Sequence, residues 1–113
     1  MTLRTRAVAI GTATAAALAL SAAPALAAKT ITVTTPQADP FSFRGMPKTL
    51  KAGTYRFRYV NRSGVGHNLK VGSKATPVFP RGTKTITVTL KKGTVRYLCV
   101  PHRSVMKGVI RVR

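Results

Sequence analysis

The amino-acid sequence predicts an all-β domain, a sandwich or barrel of short strands. Apolar and polar residues alternate with period two along five runs, and turn-forming residues separate the runs. Nothing after residue 28 repeats at the helical period.

The first run, Lys29–Thr35, alternates Thr with β-branched apolar residues, as a half-buried strand does. Pro36, Pro40 and Pro47 then interrupt residues 36–50, which predicts a loop or an irregular edge strand. Lys51-Ala52-Gly53 reads as a turn. In Thr54–Val60, Tyr55, Phe57 and Tyr59 share one face, and Arg56 and Arg58 share the other. A Gly-rich loop follows and ends near His67, where a strand begins. Thr85–Leu90 repeats the Thr/apolar alternation, and Lys91-Lys92-Gly93 makes a second turn. Thr94–Val100 sets Val95, Tyr97 and Cys99 on one face, and Gly108–Arg113 forms the last strand. A basic sheet with aromatic residues also suits a nucleic-acid-binding barrel. Here the aromatics alternate with Arg and share a face with apolar neighbours, so they read as core and not as stacking platforms.

The N-terminus has a different character. Arg4 and Arg6 precede an apolar stretch from Ala7 to Leu20, which ends in Pro24-Ala25-Leu26-Ala27. A charged start, an apolar middle and an A-x-A end predict a cleaved secretory signal over residues 1–27. The stretch is short and Thr-diluted for a bilayer span, and no cysteine follows it to carry a lipid. The expected mature domain is 28–113, exported to a periplasm, cell envelope or medium. A domain of this size buries one modest core and gains from a staple. Its single cysteine, Cys99, cannot close an internal disulfide. That leaves an intermolecular disulfide, an inert buried thiol or a metal ligand.

The chain carries 20 Lys and Arg against one acid, Asp39. One carboxylate excludes paired-carboxylate acid/base catalysis and oxygen-rich Ca²⁺ or Mg²⁺ cages. The field of such a chain favours acidic partners, whether an acidic protein or an anionic envelope surface.

The chemistry-bearing residues are concentrated in Tyr97–Gly108, which reads YLCVPHRSVMKG. Cys99, His102 and Met106 fall within eight residues, and His67 stands upstream in Gly66-His67-Asn68. Each alone has an ordinary structural use. Together they are a thiolate, two imidazoles and a thioether. A His₂Cys set with a weak axial Met is the donor set of an electron-transfer copper site, because thiolate and thioether favour Cu(I) while imidazole also suits Cu(II). Zinc is the rival metal, although structural zinc sites prefer a fourth Cys or His. Cysteine-hydrolase chemistry lacks a group to orient the histidine, and a redox disulfide lacks a second cysteine.

Cys99-Val100-Pro101-His102 followed by Met106-Lys107-Gly108 resembles the ligand loop of the cupredoxins, the plastocyanin/azurin family of small blue copper proteins. Gly66-His67-Asn68 resembles their upstream ligand segment, as does Pro47–Thr54 before a strand. The resemblance covers residues 29–113. It implies a Greek-key β-sandwich, with six or seven strands because the segment from Val71 to Thr85 is short for the family. The strand so omitted leaves an edge that the many Lys and Arg would guard against pairing. His67, Cys99 and His102 would bind copper, Met106 would be a long axial ligand, and the Gly66 carbonyl would approach the other axial side. Asn68 would hydrogen-bond to the Cys99 loop. His102 would be the electron port, within an apolar rim of Val65, Pro101 and Val105. The spacing Cys-x2-His-x3-Met combines a plastocyanin-like first gap with an azurin-like second.

The function so implied is that of a monomeric, non-enzymatic carrier of single electrons. It would cycle between Cu(I) and Cu(II) and meet acidic redox proteins transiently, with no specific nucleic-acid partner. A copper scavenger or carrier of the envelope is the alternative, and an envelope-binding β-domain with incidental metal is a third reading.

Overall fold

The computed structural model describes residues 28–113. The signal peptide expected over 1–27 lies outside the described residues. The strands are β1 (Lys29–Thr35), β2 (Thr49–Leu50), β3 (Gly53–Asn61), β4 (Lys70–Val71), β5 (Lys74–Ala75), β6 (Gly82–Leu90), β7 (Gly93–Leu98) and β8 (Lys107–Val112). Among the described residues the one helical element is a 3₁₀ turn, Val100–His102. No described helix is long and apolar enough to cross a membrane.

The strands form a three-stranded sheet, β1-β3-β6, and a five-stranded sheet, β2-β8-β7-β4-β5. The chain crosses between sheets from β1 to β2, β2 to β3, β3 to β4, β5 to β6 and β6 to β7, the winding of a Greek-key sandwich. β1 lies parallel to β3, and β6 lies antiparallel to it over nine residue pairs, Gly53 opposite Leu90 through Asn61 opposite Gly82.

The five long strands fall on the five alternating runs of the sequence. Strand β7 stops at Leu98, short of Val100, because the chain turns into the 3₁₀ element there. Three two-residue strands raise the count to eight, where six or seven were expected. One of them, β2, is the edge strand within the Pro-interrupted segment, pairing Leu50 with Val112 in parallel. The other two, β4 and β5, form a hairpin turned at Gly72, whose φ of +60° suits a residue without Cβ. The hairpin places β5 in the span between Val71 and Thr85, where the shortness of the segment led to the expectation of an omitted strand. Exposed Lys29, Lys84 and Lys74 sit on the edge strands β1, β6 and β5 and disfavour pairing with another chain.

Alternation places the core. On β3, Tyr55, Phe57 and Tyr59 are buried and Thr54, Arg56 and Arg58 are exposed. Val33, Phe57, Tyr59, Leu69, Val71 and Ile110 have no exposed surface and fill the space between the sheets. The Tyr59 hydroxyl is buried with them and needs a partner. It donates to Thr35 Oγ1 at 2.6 Å, because the Thr35 hydroxyl hydrogen goes to the Ser42 carbonyl at 2.8 Å. Burial pushes the Tyr59 phenol up to about 12. Paired bonds between Thr34 and Arg44 backbones, 2.9 and 2.7 Å, fold residues 36–43 back along β1 and towards the end of the sandwich that carries His67.

Tyr97 and Gly108 are directly opposed on β7 and β8, two residues before Cys99 and two after Met106. The Tyr97 ring lies over Gly108 so closely that a Cβ there would collide with its Oη and Cζ. Gly108→Ala therefore has to displace the ring. It should lower stability by about 1–3 kcal/mol, the usual cost of overpacking, read from the denaturant midpoint at unchanged slope.

Candidate metal centre

Two backbone segments carry the donor residues, and each is held by its own hydrogen bonds. His67 pairs with Phe79 through an isolated bridge, with N···O distances of 3.2 and 2.9 Å. Upstream, buried Asn61 organises the loop. Its Nδ2 donates to the Val65 and Phe79 carbonyls at 2.9 and 2.7 Å, and its Oδ1 accepts from the Ser63 amide and hydroxyl. Cys99 ends β7 in extended conformation, and Pro101 opens the following 3₁₀ turn. The loop closes on itself: the Cys99 amide donates to the Met106 carbonyl at 2.9 Å, and the Met106 amide donates to the His102 carbonyl at 2.9 Å.

One side chain joins the two segments. Asn68 Oδ1 accepts the Val100 N–H at 2.7 Å, and Asn68 Nδ2 donates to the Thr76 carbonyl at 3.2 Å. Asn68 thus fixes the residue after His67 to the residue after Cys99. The Thr76 hydroxyl, also buried, accepts from the Leu69 amide and donates to the Pro77 carbonyl.

The donors converge. His67 Nδ1 and His102 Nδ1 are 3.1 Å apart, and Cys99 Sγ lies 3.6 Å from the first and 3.5 Å from the second. Among the described residues these three atoms have only one another as hydrogen-bond partners. A point central to this triangle lies about 2 Å from each atom, close to metal–imidazole and metal–thiolate bond lengths. His67, Cys99 and His102 can therefore hold one metal ion. Met106 is buried at the base of the same loop, tied to His102 and Cys99 through its backbone. Gly66 is half-buried, with Val78 against it.

The tautomer of His67 is set by the fold. Its Nε2–H donates to the Pro40 carbonyl at 2.6 Å, which leaves the Nδ1 lone pair facing Cys99 and His102. Burial lowers the His67 pKa; the Pro40 bond opposes this, and the neighbouring His102 reinforces it. The ring is thus kept neutral, the form that binds a metal.

Phe41 lies edge-on to both imidazoles, with centroid distances of 5.6 Å to His67 and 5.1 Å to His102. Pro40 and Phe41 escaped the reading of the sequence. The prolines around them signalled a loop, but nothing local told where that loop would fold. Of the expected rim, Pro101 and Val105 are exposed and Val65 is half-buried. Phe41, 46% exposed, and Val78, 55% exposed, are further apolar surface residues, Phe41 against His102 and Val78 against Gly66.

No protein-family model matches the chain, and no curated protein matches it. Solved structures do. Auracyanin A, described as a "blue" copper protein from the green thermophilic photosynthetic bacterium Chloroflexus aurantiacus, superposes with a TM-score of 0.61 at 20% identity, over 77% of this chain and 100% of that one. The fold is the cupredoxin fold. Auracyanin B gives a TM-score of 0.59 at 19% identity, over 80% of this chain and 93% of that one. A point mutant of amicyanin in its Cu(I) form gives 0.54 at 23% identity, over 78% and 86%. In this cupredoxin sandwich the donor triangle is assembled from the Gly66–Asn68 segment and the loop that links β7 to β8.

Two outcomes follow from the site. Asn68→Ala leaves the Val100 N–H and the Thr76 carbonyl without their side-chain partner, and should cost about 1–3 kcal/mol in denaturant unfolding. It should also weaken metal binding about tenfold or more, as loss of a group that orients ligands does. The second concerns pH. Because the folded His67 pKa lies below the unfolded value of 6.5, the unfolded chain binds more protons on acidification. The metal-free protein should lose stability as pH falls below about 6.5, measured as a falling thermal midpoint, and His67→Gln should flatten that decline.

Proposed function

We propose that this chain is an exported type 1 copper protein that carries single electrons between redox partners. In this reading His67 Nδ1, Cys99 Sγ and His102 Nδ1 hold one copper ion, and the Met106 thioether is the weak fourth ligand. The observation that carries it is the donor triangle, with separations of 3.1–3.6 Å and no other partners for its atoms among the described residues. A buried methionine whose backbone is bonded to Cys99 and His102 favours copper over zinc, because thioether is a soft ligand that suits Cu(I) and is no habitual ligand of Zn²⁺. The structural neighbours are themselves copper proteins.

When bound, copper supplies a one-electron couple between Cu(II) and Cu(I). The protein's part is rigidity. The Pro40 carbonyl fixes the His67 ring, Asn68 fixes the Cys99 loop, and the Cys99–Met106 backbone bond closes that loop. A donor set held this firmly moves little when its charge changes. Cys99 and His67 have no exposed surface, whereas His102 is partly exposed and is the donor through which an electron enters or leaves. Val65, Pro101 and Val105, with Phe41, give a partner an apolar surface around it. Export is supported by the signal pattern at the N-terminus. The basic charge steers the protein towards acidic redox partners.

The test is voltammetry of the copper-loaded protein. A carrier gives a reversible one-electron wave and keeps its metal in both states, whereas a scavenger releases copper in one of them. With an acidic redox partner, the second-order transfer rate should fall about tenfold or more from low to physiological ionic strength, as steered encounters do.

A further inference from the structure

The outer face of the three-stranded sheet has a composition that the metal centre does not explain. Its outward residues on β1 are Thr30, Thr32 and half-buried Thr34; on β3 Thr54, Arg56, Arg58 and half-buried Val60; on β6 Thr83, Thr85, Thr87 and Thr89. The register aligns them in rows. Thr30 stands beside Arg56 and Arg56 beside Thr87; Thr32 stands beside Arg58 and Arg58 beside Thr85. Each guanidinium is thus flanked on both sides by a hydroxyl one strand away, about 4.8 Å in backbone spacing. The two rows repeat every two residues, about 6.8 Å along the strand.

Neither arginine has an acidic partner. The chain has one acid, Asp39, and it is bound to Arg44 at 3.0 Å. The arginines' natural counter-charge must come from another molecule. We propose that this Thr/Arg face binds a phosphodiester-linked polyol polymer, with Arg56 and Arg58 taking successive phosphates and the flanking threonines donating to phosphate or polyol oxygens.

Three features favour that occupant. Arg binds phosphate through two parallel N–H bonds, and a neighbouring hydroxyl adds a third donor. Two residues of extended backbone span six covalent bonds, and one repeat of a glycerol phosphate chain is also six bonds long, so the two periods are commensurate. The face offers no base-stacking platform, since Tyr55, Phe57 and Tyr59 all point into the core, and no large apolar side chain to enter a lipid surface. The five-stranded sheet is basic too, and Arg111 there also stands between two threonines, Thr49 and Thr94, but Arg96 lies on a different strand opposite 54%-exposed Val109. Two successive hydroxyl-flanked arginines along one strand, the repeat a polymer would need, do not occur there.

The experiment uses the mature, copper-loaded protein and a labelled poly(glycerol phosphate) of defined length, with affinity read by anisotropy across a salt series. Arg56→Gln/Arg58→Gln should weaken binding about tenfold or more. It should also reduce the slope of log affinity against log salt by about 1.4, two contacts at roughly 0.7 each. Arg96→Gln/Arg111→Gln removes the same charge from the other sheet and should change affinity less than about threefold. Arg56→Lys/Arg58→Lys keeps the charge and should restore the slope but only part of the affinity. Unchanged thermal midpoints establish that the variants fold. Equal losses in the two Gln pairs would overturn the proposal, leaving diffuse charge as the cause. So would equal or tighter binding of oligo(dT) or polyglutamate. Metal-free protein should bind the polymer equally well, so the result stands apart from the fate of the copper reading.

Discussion

The Asn68 side chain is the constraint on which the site depends. His67 and Cys99 are 32 residues apart in the chain, and their donor atoms meet at 3.6 Å. Strand pairing alone does not deliver that precision, because β4 and β7 share only two residue pairs, Lys70 with Leu98 and Val71 with Tyr97. Two residues beyond this short ladder, Asn68 Oδ1 takes the Val100 amide and carries the pairing on through a side chain. Its other end is anchored on Thr76, whose hydroxyl is committed to Leu69 and Pro77. A buried polar chain with every member satisfied admits one arrangement, and leaving any member unpaired is costly.

The remaining supports fix orientation. The Met106 carbonyl receives the Cys99 amide, so Met106 and the thiol belong to one closed loop. Pro40 reaches His67 from a segment that lies nearly thirty residues upstream, and its carbonyl decides which imidazole nitrogen is bare. Tyr97 over Gly108 sets the register of the two strands that launch and receive the ligand loop. Sheet register, loop closure and tautomer are separate problems, and different residues solve each.

Much of this was legible in the sequence, for a physical reason. Strands longer than five residues leave a period-two record, and β1, β3, β6, β7 and β8 all fell where the alternation put them. His67, Cys99, His102 and Met106 stood out because soft donors are rare in a chain dominated by Lys, Arg and Thr. Of the two-residue strands, β2 was legible only as an irregular edge within 36–50 and β4 only as a strand beginning near His67, and β5 was not legible, since two residues carry no period. Nor were the Pro40 carbonyl and Phe41, because a backbone acceptor has no side-chain signature and loop folding depends on distant bonds such as Thr34–Arg44. The Thr/Arg face lies between these cases. The sequence showed which residues point outward, but only the register across three strands placed threonines on both sides of Arg56 and Arg58.

The central claim is that Cys99 is a copper thiolate in a prearranged triangle. Its most direct test is the visible spectrum of the mature domain titrated with Cu(II), beside Cys99→Ser. The account predicts an intense thiolate-to-copper charge-transfer band that saturates at one equivalent and is absent from the variant. A colourless complex would contradict it, as would a band that survives the substitution.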